Sequence, residues 1–399
     1  MSYSVIKMIT VEEALNIIQN RTGFNQHFEA KSVQEALGYT LFENVVSPID
    51  MPPFRQSAMD GYALNLNGND TFNIIGVVKA GDGHQPILKK GEAVRIFTGA
   101  PVPDSANTVI MQEKISRNEN TIKLDDPITI NLNIRTVGEQ VKKSQLALAK
   151  DTKLTPAAIG YLSSLGIKEV NVYQKPTIAI IATGNELIEP GLHLEYGQIY
   201  ESNSKMLLST LYSLKFYDVT LHKVKDDYNE TLNTLDKVIK THDLVIISGG
   251  ISVGDYDFVG EALKALHVEE HFYKVNQKPG KPLFFGTKED TYIFALPGNP
   301  AASLTCFYMY VFTALQRLMN NEFYKLPRIQ VKSESLFKKH GDRPQFLKAI
   351  YNGNAVTILE GQSSSMLQTY AICNALVFMP GEQSKIKVDD LVEVILLPV

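Results

Sequence analysis

The sequence predicts a multidomain chain of α/β plus β class, on three observations. Between about residues 177 and 319, continuous apolar runs alternate with amphipathic segments of helical period, the pattern of a doubly wound sheet covered on both faces. From about 41 to 130, Gly, Pro and Asn clusters break the text into short apolar runs, which reads as β-structure with long loops. From about 327 onward short strand-like runs return, so the chain should end in a small all-β domain, sandwich or barrel.

The elements follow in order. TVEE (10–13) is a capping box, and Val11, Ala14, Leu15 and Ile18 repeat at helical spacing behind it. SVQE (32–35) is a second box, predicting a short helix that Gly38 ends. FNIIGVV (72–78) and TVIM (108–111) read as strands. Thr155 caps a further helix, Pro156 takes its first position, and Gly166 follows AIGYLSSL (158–165). A β-rich piece between helical flanks predicts an insertion, with the flanks sharing one discontinuous domain. Strands are then expected at 177–182, 219–224, 244–248, 282–285 and 292–296, and helices at 202–214, 228–241, 258–266 and 300–319. RIQVK (328–332), AVTIL (355–359), ALVF (375–378) and LVEVIL (391–396) supply strands of the last domain. The division expected is 1–53 with 139–176, 54–138, 177–327 and 328–399.

Composition narrows the function. With 44% hydrophobic and 21% charged residues in 399, the chain has ample material for cores. Its 39 Lys+Arg against 43 Asp+Glu leave a net charge of -4, which excludes a generic nucleic-acid surface and requires any bound anion to be held by a local cluster. Cys306 and Cys373 are too few for a disulfide framework and lack metal-ligand spacing, so a reducing, cytoplasmic setting is expected. No run reaches the ~18 apolar residues of a membrane span, and the N-terminus lacks a signal-peptide core.

Three polar or Gly-rich turns follow predicted strands: TGNE (183–186), SGGISVGDYD (248–257) and LPGNP (296–300). Each alone is a plain strand-to-helix turn; three on one sheet edge point to a site, since ligands of such sheets collect beyond the carboxyl ends of the strands. Glycines admit close backbone approach, and free N–H groups at a helix start favour an anion. No P-loop and no Gly-x-Gly-x-x-Gly fingerprint is present. Gly250-Ile-Ser252-Val-Gly254 matches the nucleophile-elbow pattern of serine hydrolases. It lacks an upstream His-Gly-Gly-Gly loop, and Asp255 and Asp257 crowd it, so metal or phosphate use is the better reading.

Asp218, Asp226, Asp227, Asp255 and Asp257 cluster along the same stretch. Solvated turn carboxylates are the bland reading; beside an anion loop their hard oxygens suit Mg²⁺, which uses one or two carboxylates plus phosphate oxygens. From His271 to Lys288 the chain carries Lys274, Lys278, Lys281 and Lys288 and no acid. KPGKP (278–282) places two ammonium groups on one rigid turn, an anion clamp.

Together SAMDGYA (57–63), RIFTGAPVP (95–103), ANTVIMQE (106–113), NIRTVGE (133–139), ATGNEL (182–187), IYESNS (199–204), SGGISVGDYD, KPGKP and LPGNP span the chain, and in this combination it resembles the MoeA family of molybdopterin molybdenumtransferases, related to gephyrin and Cnx1 E domains. The resemblance implies a MogA-like doubly wound α/β domain, a discontinuous helical domain, a β-rich insert and a C-terminal β-barrel, in a homodimer. It also implies insertion of molybdate into adenylylated molybdopterin with Mg²⁺ assistance and release of AMP. Partners would be these small anionic substrates, with transient contact to the molybdopterin adenylyltransferase and to molybdoenzymes.

On that resemblance Lys274, Lys278 and Lys281 offset phosphate and molybdate charge. Asp226 or Asp227, with Asp257, holds Mg²⁺, and Glu186 binds polar atoms or orients water. Ser248, Gly249, Gly250, Ser252 and Gly254 cradle an oxyanion, while Pro297, Gly298, Asn299 and Pro300 shape the last loop. Asp60, Thr98 and Arg135 come from another domain, and from the other subunit, to close the cleft. No protein nucleophile is required. The chain departs from the family pattern at Gln140, where Asp is usual, at Ala302-Ser303 after LPGNP, at Gln362-Ser-Ser-Ser365 and at Cys373-Asn374. Two alternatives are ATP-dependent adenylylation of molybdopterin and a gephyrin-like scaffold.

Overall fold

The computed structural model describes residues 8–23, 26–251, 258–321 and 325–399. They form two compact units, Met1–Phe28 with Tyr173–Val399, and Glu29–Val172. Among the described residues no helix is long and apolar enough to cross a membrane.

In the first unit a six-stranded sheet runs in the order Val219–Val224, Ile178–Thr183, Leu244–Ser248, Thr291–Leu296, Pro282–Lys288, Glu269–Lys274. The first four strands are parallel. The last two add antiparallel, so the sheet is mixed, with a hairpin edge that the apolar runs alone do not announce. Ile178–Thr183 and Leu244–Ser248 are buried at every position because helices cover both faces. On one face Ile181, Val245, Ile247 and Ile293 meet Leu235, Val238, Val259 and Leu263 of the flanking helices. The parallel register sets Ala182 beside Ser248 and Ser248 beside Leu296. The three expected turns therefore leave the sheet level with one another at its carboxyl edge.

The long helix expected at 300–319 is one continuous rod, Pro300–Cys306 and Phe312–Leu318 joined by a π-helical stretch, Phe307–Val311. The helix Val11–Arg21, with both bonds of its capping box formed, docks on this rod. Just before it, Ile9 receives the N–H of Asn276 at 2.8 Å and donates to the Lys274 carbonyl at 3.2 Å.

Arg328–Ser333, Ala355–Ile358, Gln345–Tyr351, Ala375–Met379 and Leu391–Leu396 close into a five-stranded barrel around Leu347, Val356, Val377, Met379 and Val394. The strand Gln345–Tyr351 escapes a period-two reading because it is buried from 345 to 349 whatever the polarity of its residues.

In the second unit Val33, Ala36 and Leu41 share a core with Leu154, Leu162, Val170 and Val172. A six-stranded sheet carries the inserted residues; at Gly61 a Cβ would sit 1.8 Å from the Ile110 carbonyl oxygen, so no other residue fits there. Half of the box at 32–35 forms: the Ser32 hydroxyl accepts the Glu35 N–H at 3.3 Å, but the Glu35 carboxylate accepts the Ser32 hydroxyl, at 2.6 Å, in place of the Ser32 backbone N–H. It opens a single turn and no helix: Ser32 ends the strand Phe28–Ser32 and Gly38, at φ 86°, reverses the chain before a second turn can propagate.

Candidate functional site

Where the three turns converge the first unit holds a cavity of 550 Å³, lined among others by Thr183, Gly184, Glu186, Asn203, Asp226 and Ser248. Its walls are built by close backbone approach. A Cβ on Gly250 (φ 68°) would lie 2.7 Å from Thr183 Oγ1, and one on Gly184 (φ 144°) would lie 2.5 Å from the folded-back Glu186 carboxylate. The Gly249 N–H, one of the expected oxyanion donors, is spent on the Leu296 carbonyl at 3.2 Å. Asn203 ties the second turn to the third, its amide donating to Ser248 Oγ at 2.9 Å and to the Gly298 carbonyl at 2.8 Å. Among the described residues the buried Thr183 Oγ1 and Asn203 Oδ1 have no hydrogen-bond partner.

The carboxylates divide by role. Asp226 lines the cavity, accepting the Asn185 N–H at 3.0 Å through one oxygen; Glu186 is exposed at the rim. Asp227 instead caps the helix Tyr228–Ile239, accepting the Glu230 N–H at 2.8 Å. Glu201, buried in the wall, is occupied by the backbone N–H and hydroxyl of Ser204. No three His, Cys, Asp or Glu side chains of the described residues form a metal cage, but a carboxylate with one oxygen uncommitted, open to a cavity, fits Mg²⁺, which takes few protein ligands. Ser252, Gly254, Asp255 and Asp257 lie outside the described residues.

A second cavity, of 680 Å³, shares the wall Ile251, Gly298 and Asn299 with the first. Its polarity is opposite. Lys278 and Lys281 reach it from the sheet hairpin, and Lys338, His340 and Arg343 from the C-terminal domain, with Pro297 and Ser363 beside them. Lys278 is fixed from both sides: its N–H donates to the Pro344 carbonyl and its carbonyl accepts the Phe346 N–H, both at 2.9 Å. Behind the turn the buried Gln277 holds the Gly280 carbonyl at 3.1 Å and accepts the Tyr310 hydroxyl. Lys274 does not join its neighbours; it lines neither cavity, and its ammonium lies 5.8 Å from the centre of the Tyr273 ring.

The start of the helix Pro300–Cys306 is not an open anion site. The N–H groups of Ala301 and Ala302 both donate to the Ser364 carbonyl, at 3.1 and 3.2 Å, and Asn299 donates to Ser364 Oγ at 2.9 Å. The barrel loop occupies the donors that the sequence left to a ligand. Lys338, His340 and Arg343 were missed in the sequence; the run KKHGDR (338–343), three cations and a histidine around one acid, was the available signal.

In the second unit the Asp60 carboxylate accepts both the N–H and the hydroxyl of Thr98, at 2.7 and 2.8 Å. The Thr98 backbone donor above all, then its hydroxyl, hold Asp60 below the usual carboxylate range. Arg135 is exposed, on the strand Ile134–Arg135 that pairs with Gln56–Ser57.

Comparison with known proteins gives first the class. The model of a probable molybdopterin binding domain matches residues 179–317, between a MoeA N-terminal region (domain I and II) at 9–166 and a MoeA C-terminal region (domain IV) at 330–397. A molybdopterin molybdenumtransferase of Haemophilus influenzae is 33% identical over 397 residues, 97% of this chain and 98% of the relative. One from Staphylococcus aureus is 31% identical over 403 residues, 97% and 95% of the two chains. A crystal structure of the molybdopterin biosynthesis moeA protein from Pyrococcus horikoshii OT3 superposes with a TM-score of 0.83 at 29% identity, covering 98% of this chain and all of that one. The chain belongs to the MoeA family, transferases of molybdenum cofactor biosynthesis.

Proposed function

We propose that this chain inserts molybdate into adenylylated molybdopterin, releasing AMP with Mg²⁺ assistance. The observation that carries the reading is the pair of cavities of opposite polarity meeting at Gly298 and Asn299. The carboxylate cavity suits a metal-chelated phosphate: Asp226, with Asp257, would hold Mg²⁺, whose charge would offset that of the phosphoanhydride. Ser248, Gly249 and Gly250 contribute the walls against the ligand, Ser252 and Gly254 would add oxyanion contacts as the family resemblance implies, and Glu186 orients polar atoms at the rim. Across the shared wall, Lys278, Lys281 and Arg343 provide charge-assisted donors for a tetrahedral dianion. The chain's work is positioning and electrostatics, with the oxyanion held beside the pterin while the anhydride is polarised.

The same proposal covers a cytoplasmic homodimer in which Asp60, Thr98 and Arg135 serve the partner's site, and the division of the chain into 1–53 with 139–176, 54–138, 177–327 and 328–399. Mixing Asp60→Asn subunits with Lys278→Ala subunits tests the shared site: at limiting molybdate, activity should be strongly reduced in either parent and rise in the mixture above both. The reaction is tested with purified protein, adenylylated molybdopterin, Mg²⁺ and molybdate. Molybdate-dependent AMP release is expected. Unchanged substrate overturns the reading, and pyrophosphate released from ATP in its place assigns the adenylylation step instead.

A further inference from the structure

We propose that Lys348, buried between a barrel strand and the loop 361–366, is a positioning residue that sets the wall shared by the two cavities. The inference rests on the reading of the basic cavity as the molybdate site. Lys348 is 3% exposed, on the strand Gln345–Tyr351. Its ammonium donates to three backbone carbonyls of one loop, Gly361 at 2.7 Å, Met366 at 3.0 Å and Ser363 at 3.1 Å. An ammonium has three donors and no acceptor, so the three carbonyls use its full capacity. Its backbone is bound to the same loop: the Lys348 N–H donates to Gln362 Oε1 at 2.9 Å, and Gln362 Nε2 donates to the Lys348 carbonyl at 2.8 Å.

The loop so gathered is the one that meets the site. Gln362, Ser363 and Ser364 line the basic cavity. Ser364 receives the N–H groups of Ala301 and Ala302 and the Asn299 amide, and Asn299 faces both cavities. A continuous path of hydrogen bonds thus runs from Lys348 through residues 361–366 to Asn299. Among the described residues the Lys348 ammonium has no carboxylate within ion-pair distance. Burial accordingly lowers its pKa. A buried charge kept beneath a loop without a counter-ion is costly where an apolar side chain of similar length would fill the space. What the ammonium supplies and an apolar chain cannot is simultaneous capture of three carbonyls, which fixes the shape of the loop.

The test uses the full-length protein and the variants Lys348→Met, Lys348→Gln and Lys348→Arg, with molybdate as the probe. In AMP release, Lys348→Met should raise the half-saturating molybdate concentration about tenfold or more, as expected for a lost charged donor. The Michaelis constant of adenylylated molybdopterin should stay within about threefold, and Lys348→Arg, which keeps charge and donors, should recover most of the loss. If Lys348→Met does not fold, Lys348→Gln carries the test with an intermediate rise. A folded Met or Gln variant with wild-type molybdate dependence, or an Arg variant as impaired as Met, overturns the inference.

Failure of the wild-type protein to release AMP is a failure of the proposed reaction, and the positioning role is then read without the assay. Hydrogen exchange at Ala301 and Ala302 should accelerate in Lys348→Gln while Leu391–Leu396 stays protected. Unchanged or uniformly faster exchange overturns the role.

Discussion

The two cavities share a wall and differ in how the chain assembles them. The carboxylate cavity is made by turns that follow neighbouring parallel strands, and its glycines, Asp226 and Asn203 all sit on elements of one α/β sheet. The basic cavity is made by two domains of the fold, the hairpin turn at 278–282 and the barrel residues 337–345 and 362–364. The first is a property of strand order, because parallel strands in register deliver their turns to one edge. The second exists only once the barrel closes and its Gln345 bridges to Lys278. With the carboxylates and the lysines carried by different elements, they do not neutralise one another.

The largest effect should come from stripping the basic side. Lys278→Ala with Lys281→Ala removes two charge-assisted donors of ~1.5–3 kcal/mol each, so the molybdate requirement should rise by about a hundredfold or more, measured as the concentration giving half-maximal AMP release. An unchanged molybdate curve would break the contrast between the cavities. Next, Asp226→Asn should raise the Mg²⁺ requirement by about tenfold, the scale of one charged contact, and leave the molybdate curve in place; a shift in both curves would mean that the cavities do not act separately.

Asn203→Ala acts on the wall itself, releasing Ser248 Oγ and the Gly298 carbonyl. It should cost about 1–2 kcal/mol in denaturant unfolding and weaken both Mg²⁺ and molybdate dependence by a similar, few-fold factor.

The smallest effect concerns pH and lies away from both cavities. Burial, then the neighbouring His242 and Lys237, lowers the pKa of His222, and burial lowers that of His271. A histidine depressed in the folded state contributes stability that is complete above about pH 6.5, its unfolded value, and is lost as pH falls through the folded value. His222→Gln with His271→Gln should therefore flatten the fall in Tm below about pH 6.5, with little change at pH 8.

Much of this was legible in the residues because it is local. Caps, apolar period and turn chemistry placed the helix Val11–Arg21, the strands Val219–Val224 and Leu244–Ser248, and the turns of the first cavity. Reading failed where a local signal met a tertiary constraint. The box at Ser32 formed only its N–H bond to the hydroxyl, and the strand before it and Gly38 after it left no room for a helix. Nothing in the sequence around Lys348 marks it as buried, and it is buried because three carbonyls from another stretch satisfy its ammonium. Lys274 shares its acid-free run with Lys278 and Lys281, yet its strand carries it away from the cavity they line.

By itself the sequence determined the kinds of element, their order, and the turns at the carboxyl edge of the sheet, because periodicity, capping and glycine conformation act over a few residues. Only the tertiary structure decided that the first helix docks on the rod from Pro300 to Leu318, that the Ser364 carbonyl takes the N–H groups at that rod's start, and that Arg343 joins Lys278 and Lys281 at one cavity. Those outcomes depend on pairing between residues 60 or more positions apart, which is set by register, barrel closure and the need to satisfy every buried polar group, conditions that no single stretch of sequence contains.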